Sequence, residues 1–105
     1  MSLLIRVSTK ASQDLEDLFN YLARENESIA FKFFDSSRET IALLAKMPNL
    51  GKSCQIANPK LKGLRQYRFK GFNKFLVFYF VSDNLLIIVR VLQGNRDIET
   101  ILNKE

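Results

Sequence analysis

Leu64-Arg65-Gln66-Tyr67-Arg68-Phe69-Lys70, Gly71-Phe72-Asn73, Lys74-Phe75-Leu76-Val77-Phe78-Tyr79-Phe80-Val81, Ser82-Asp83-Asn84 and Leu85-Leu86-Ile87-Ile88-Val89-Arg90-Val91-Leu92 form one unbroken stretch that decides the fold. The first segment alternates, with Arg65, Tyr67 and Phe69 on one side and Leu64, Gln66 and Arg68 on the other, so Arg65 and Arg68 leave opposite faces of a strand. Gly71-Phe72-Asn73 has the residues of a hairpin turn. Lys74 to Val81 is almost wholly apolar, as a central strand covered on both faces requires. After a second turn at Ser82-Asp83-Asn84, Leu85 to Leu92 is a further strand whose one charge is Arg90. Strands joined by such short turns make an antiparallel meander.

Upstream, the pattern changes period. Leu3, Leu4, Ile5 and Val7 read as a short first strand. Ser8 or Thr9 can cap a helix there, since a hydroxyl satisfies orphan N–H groups of a first turn. Ala11, Leu15, Leu18, Phe19 and Leu22 then fall on one helical face to about Arg24, with Asp14, Glu16 and Asp17 on the other. Glu25-Asn26-Glu27-Ser28 is a polar break. Ala30, Phe33, Phe34, Ser37, Ile41, Leu44 and Ala45 carry a second helix until Pro48 disfavours helical geometry at Met47. The two helices form an antiparallel hairpin, each with one apolar stripe that needs a sheet to cover. Pro48 to Gly63 is rich in breakers and reads as loop. A short final helix is expected after Asn95 or Asp97, with Ile98, Ile101 and Leu102 as its apolar face. The order β-α-α-β-β-β-α specifies an α+β domain with an N-terminal strand, a helical hairpin, a three-strand meander and a short C-terminal helix.

At 105 residues the chain is sized for a single domain, 1–105. No apolar run approaches the roughly 20 residues a membrane helix needs, and residues 1–7 lack a signal-peptide pattern. Cys54 is the one cysteine, which fits a reducing, cytoplasmic setting. It lacks the imidazole partner that thiol catalysis usually uses, because the sequence contains no His. The same absence removes the commonest metal ligand and general base, so neither metal nor cofactor is expected.

Charge is segregated. Residues 40–82 hold eight Lys/Arg and no Asp/Glu, while the overall charge is only +5. Ordinary surfaces mix both signs, and such segregation steers acidic or polyanionic partners. The candidates are Lys52, Lys60 and Lys62 in the loop and Arg65, Arg68, Lys70 and Lys74 on the first hairpin. Arg90 is expected to share its face with Leu86, Ile88 and Leu92. A guanidinium beside apolar surface either pairs with a carboxylate or awaits an anionic ligand.

In this order and spacing the chain resembles the ParE branch of the ParE/RelE toxin superfamily. The resemblance rests on the helix pair, Met47-Pro48-Asn49-Leu50-Gly51-Lys52, Leu64-Arg65-Gln66-Tyr67, Phe75-Leu76-Val77-Phe78-Tyr79 and Ile88-Val89-Arg90-Val91-Leu92-Gln93-Gly94-Asn95-Arg96-Asp97. It implies a toxin neutralised by a cognate antitoxin whose disordered acidic-apolar tail folds over it. ParE-type members are thought to act on DNA gyrase without cutting RNA. Arg65, Arg68, Lys74, Arg90 and Arg96 are then the residues expected to meet target or antitoxin. The alternative is the RelE-type activity, mRNA cleavage on the ribosome, for which Arg90 matches the catalytic Arg position. The segment 97–105 offers neither the Tyr nor the His such relatives often use there. ParE-like relatives often have His where Gln93 stands.

Overall fold

Ser8 marks the change from strand to helix in the computed structural model, which describes residues 2–105; Met1, included in the 1–105 domain expectation, lies outside the described residues. The Ser8 Oγ accepts from the Ala11 N–H and donates to the Val89 carbonyl oxygen, capping the helix and pinning it to a distant strand. The elements run β1 (Leu4–Val7), α1 (Thr9–Glu25), α2 (Glu27–Lys46), β2 (Lys52–Ser53), β3 (Arg65–Phe69), β4 (Phe72–Ser82), β5 (Leu85–Gln93) and α3 (Ile98–Asn103). Two single 3-10 turns, Pro48–Leu50 and Pro59–Leu61, shape the loop around β2. Asn26 caps α2 through its side chain, and Asp97 caps α3.

The five-stranded sheet has the order β1-β5-β4-β3-β2. The meander is antiparallel as expected, whereas β1 lies parallel to β5 at the sheet's far edge. The hairpin turn closes one residue earlier than Gly71-Phe72-Asn73 suggests, because Phe69 pairs with Phe72 and leaves Lys70-Gly71 as the loop. Gly71 takes φ +79°, a region that a side chain would strain.

Both sheet faces are covered. The α1–α2 hairpin packs on one through Phe33, Leu44, Phe69, Val77, Tyr79 and Ile88. Phe33 meets Phe69, Phe72 and Phe75 edge-on at 5.3–5.5 Å between centroids, a geometry worth about 0.5–1.5 kcal/mol per pair beyond burial. The loop 54–63 and α3 cover the other face through Leu61, Leu64, Phe78, Val89, Leu92 and Leu102.

One expectation about faces fails. The ladder places Phe78 opposite Arg90 but Tyr79 opposite Ile88, so β5 carries an extra residue there. That bulge reverses the alternation. Leu86 and Ile88 stay under the helical hairpin, Leu92 turns to the opposite face, and Arg90 no longer shares one row with all three.

Candidate functional site

The basic residues separate as the alternation of β3 requires. Arg65 is half-buried and reaches the Gly51 carbonyl oxygen at 2.6 Å. Gly51 is further fixed by Tyr79, whose buried hydroxyl accepts from the Gly51 N–H at 2.9 Å and donates to the Pro48 carbonyl at 2.7 Å. A Cβ at Gly51 would collide with that hydroxyl and lie 2.8 Å from the Gln66 carbonyl oxygen, which is why the turn needs glycine. Burial pushes the Tyr79 phenol up, partly offset by the Gly51 hydrogen bond and by Arg65. Arg65 is thus a structural tie for the turn at 48–52.

Arg68 and Lys74 are not brought into one cleft. Arg68 pairs across the sheet with Leu76, Gln66 pairs with Lys52, and Lys74 is two residues before Leu76 on the same strand. By alternation Lys52, Gln66 and Arg68 share the face opposite the helical hairpin, whereas the register shift after Arg68 interrupts the pattern before it reaches Lys74. A cleft of about 500 Å³ there is lined by Leu50, Lys52, Gln66, Tyr67, Arg68 and Leu76. Lys52 is a member that reasoning from charge runs did not group with Arg68; its link is the two-residue strand β2, too short to leave a periodic signal. Lys74 borders a second, smaller hollow with Gln93, Gly94 and Asn95. Arg96 is exposed in the turn before α3.

Arg90 is paired. Its Nε and Nη2 donate to the two carboxylate oxygens of Asp14 at 2.7 and 2.9 Å, and Nη1 reaches Glu105 at 3.3 Å. Glu105 also pairs with Lys10. The Asp14 hydrogen bond is the main cause that raises the Arg90 pKa. The helical period puts Asp14 on the side of α1 away from its apolar stripe; in the fold it turns to β5 and also accepts from the Val91 N–H at 2.9 Å. No local pattern could indicate this, because the partners are 76 residues apart.

Cys54 is half-buried, and burial pushes its thiol up against the opposing pull of Lys52. No group of three or more His, Cys, Asp or Glu side chains clusters among the described residues, and no described helix is long and apolar enough to cross a membrane.

A second surface lies at β1. Leu4 donates to Asn84 and Ser8 to Ile88, so alternation turns the N–H and C=O groups of Ile5 and Val7 away from β5. Leu4 is 69%, Ile5 45% and Phe34 47% exposed, a large apolar showing for so small a protein. Beside this open edge runs a groove of about 450 Å³ lined by Ile5, Val7, Leu15, Phe19, Phe34 and Ile41, with Arg38 at 5.7 Å over the Phe34 ring.

A small α+β domain of this topology is also found in chains of known toxin–antitoxin structures. The fold is similar to a chain of the chromosomal ParDE TA system from P. aeruginosa (TM-score 0.69, 19% identity, covering 88% of this chain and 96% of that one). It is also similar to a chain of the toxin–antitoxin complex RelBE2 from Mycobacterium tuberculosis (TM-score 0.56, 21% identity, 89% and 99% covered). No curated sequence gives a significant match. The family model "ParE toxin of type II toxin-antitoxin system, parDE" matches residues 5–98, and the chain belongs to that family.

Proposed function

We propose that this ParE-family chain acts in the cytoplasm as a toxin that inhibits DNA gyrase by docking, and that a cognate antitoxin neutralises it. The observation that carries the reading is the composition of the basic cleft. Lys52 and Arg68 can hold acidic groups, but the cleft offers no imidazole or carboxylate to move a proton near neutral pH. Arg90, the residue a nuclease would need for charge stabilisation, is shared between two carboxylates.

The antitoxin's acidic-apolar tail is assigned to the groove beside β1. An amphipathic segment there can bury its apolar side chains against Ile5, Phe19 and Phe34 while an acidic one meets Arg38. A supercoiling assay with purified protein tests the gyrase reading. Dose-dependent loss of supercoiling, reversed by antitoxin, is the expected result; full gyrase activity at large toxin excess overturns it.

The similarity to the RelBE2 chain supports one second reading, a ribosome-dependent mRNA endonuclease in which Arg90 and the nearby cations stabilise the scissile phosphate. Primer extension on translating ribosomes separates the two, since only a nuclease leaves new RNA ends at codon positions.

A further inference from the structure

β3 is left partly without a neighbour. Cys54 donates to the Leu64 carbonyl and Lys52 pairs with Gln66, so by alternation the outward backbone groups of β3 belong to Leu64, Gln66 and Arg68. The first two have β2 beside them. At Gly51 the chain is drawn aside by Tyr79 and Arg65, and no strand continues opposite Arg68. Beyond it the edge is closed again: Ser36 Oγ donates to the Lys70 carbonyl at 2.6 Å and Thr40 Oγ1 accepts from the Lys70 N–H at 3.4 Å. One outward N–H and C=O pair is therefore open between two ends that are held.

A cleft lies on each side of this gap. On the face opposite the helical hairpin is the one with Leu50, Lys52, Gln66 and Leu76. On the hairpin side is a cleft of about 560 Å³ bordered by Glu39, Thr40, Leu43, Tyr67 and Lys70. Arg68 borders both. Leu43, Met47 and Leu50, around the same edge, are all exposed apolar side chains. A strand laid along an edge sends successive side chains to opposite faces, so a cleft on each face is what an added strand needs.

We propose that this gap is a second docking edge, which takes a short extended acidic segment of a partner protein by strand addition at Arg68. Charge fixes the polarity of the guest. Lys52 and Arg68 rim the far-face cleft with no carboxylate in its lining, so its acidic side chains enter there. In the other cleft Glu39 offsets the cations Arg68 and Lys70, and Leu43 and Tyr67 give it an apolar wall, so the alternate guest side chains are apolar and rest there. The edge is at the opposite side of the sheet from β1. A partner held here leaves the groove of Ile5 and Phe34 open.

The test titrates isotope-labelled toxin with a peptide of alternating Glu and Val, followed by amide NMR. Saturable shifts centred on Arg68, Lys52 and Lys70, with loss of binding by at least about tenfold in Arg68→Glu, are expected. Leu43→Asp is the second variant and should weaken the same peptide. Both side chains are exposed, and the unshifted remainder of each spectrum checks the fold. No saturable shift up to about 1 mM overturns the proposal. So do shifts confined to Ile5, Val7 and Phe34, equal binding of a Lys-Val peptide, or tighter binding of a single-stranded oligonucleotide at the same amides. None of these outcomes depends on whether gyrase is inhibited.

Discussion

Removing the Asp14 carboxylate should be among the most damaging single changes to this fold. Asp14→Ala deletes three hydrogen bonds at once, two from the Arg90 guanidinium and one from the Val91 N–H. The side chains are only 16% and 13% exposed, so solvent replaces little of what is lost. Breaking a buried pair by removing one partner costs about 3–5 kcal/mol. Glu105 remains near Arg90 at 3.3 Å and lowers that to about 2 kcal/mol, while the orphaned Val91 N–H adds about 1 kcal/mol. The expected total is about 3 kcal/mol, a large part of the 5–15 kcal/mol typical of a whole domain. Urea unfolding followed by circular dichroism should show this at unchanged m value, and Tm should fall by roughly 10–20 °C. Adding Arg90→Met to Asp14→Ala should recover at least half, because the stranded charge is then gone. A loss under about 1 kcal/mol, or a double variant no more stable than the single, refutes this account of Arg90.

Tyr79→Phe should cost about 2 kcal/mol by leaving the Gly51 N–H and Pro48 carbonyl without their partner, as read from urea midpoints. Because the folded state raises the Tyr79 pKa above its ordinary 10.0, the wild type keeps this contribution below that pH and loses it as pH climbs further; the Phe variant should lack that part of the alkaline slope. Phe34→Glu should weaken antitoxin binding at least about tenfold by calorimetry and leave Tm nearly unchanged, since Phe34 is half exposed; an unaltered Kd would remove the groove from the antitoxin site. Cys54 should react with a disulfide reagent more slowly at neutral pH than free cysteine does, because burial holds back its thiolate; an equal or faster rate contradicts this.

The elements were legible wherever a local rule acts. Pro48 ends α2, with Met47 as its last flanking residue, and Ser8, Asn26 and Asp97 cap their helices. The apolar run of β4 is covered on both faces, with Val77 and Tyr79 in one core and Phe78 in the other. What the sequence hid was set by distant partners. β2 is only two residues long because the ties of Gly51 to Tyr79 and Arg65 draw the chain away from β3 before it. The bulge at Val89 has no signature among Ile and Val neighbours that fit either face. Phe34 kept the helical period and so passed for core, yet it is an exposed wall of the groove. For the site, the alternation that sets Arg65 and Arg68 on opposite faces of β3 holds in the fold, while the grouping of Arg65 with Arg68 and Lys74 as one surface does not. The sequence left Arg90 open between a ligand and a carboxylate, and the fold supplies two carboxylates.

The parallel pairing of β1 with β5 sets a schedule for the making of this molecule. Ser8 waits for Val89, 81 residues downstream, and Asp14 waits for Arg90. At translation speeds of roughly 5–20 residues per second, that delay is about 4–16 s. The two helices leave the ribosome in that interval with their apolar stripe uncovered, and the groove lacks the wall that an anchored β1 provides. The basic cleft is equally unfinished, since its β4 side comes late. A nascent chain of this kind lacks both surfaces for most of its synthesis, and the two mature together at the end.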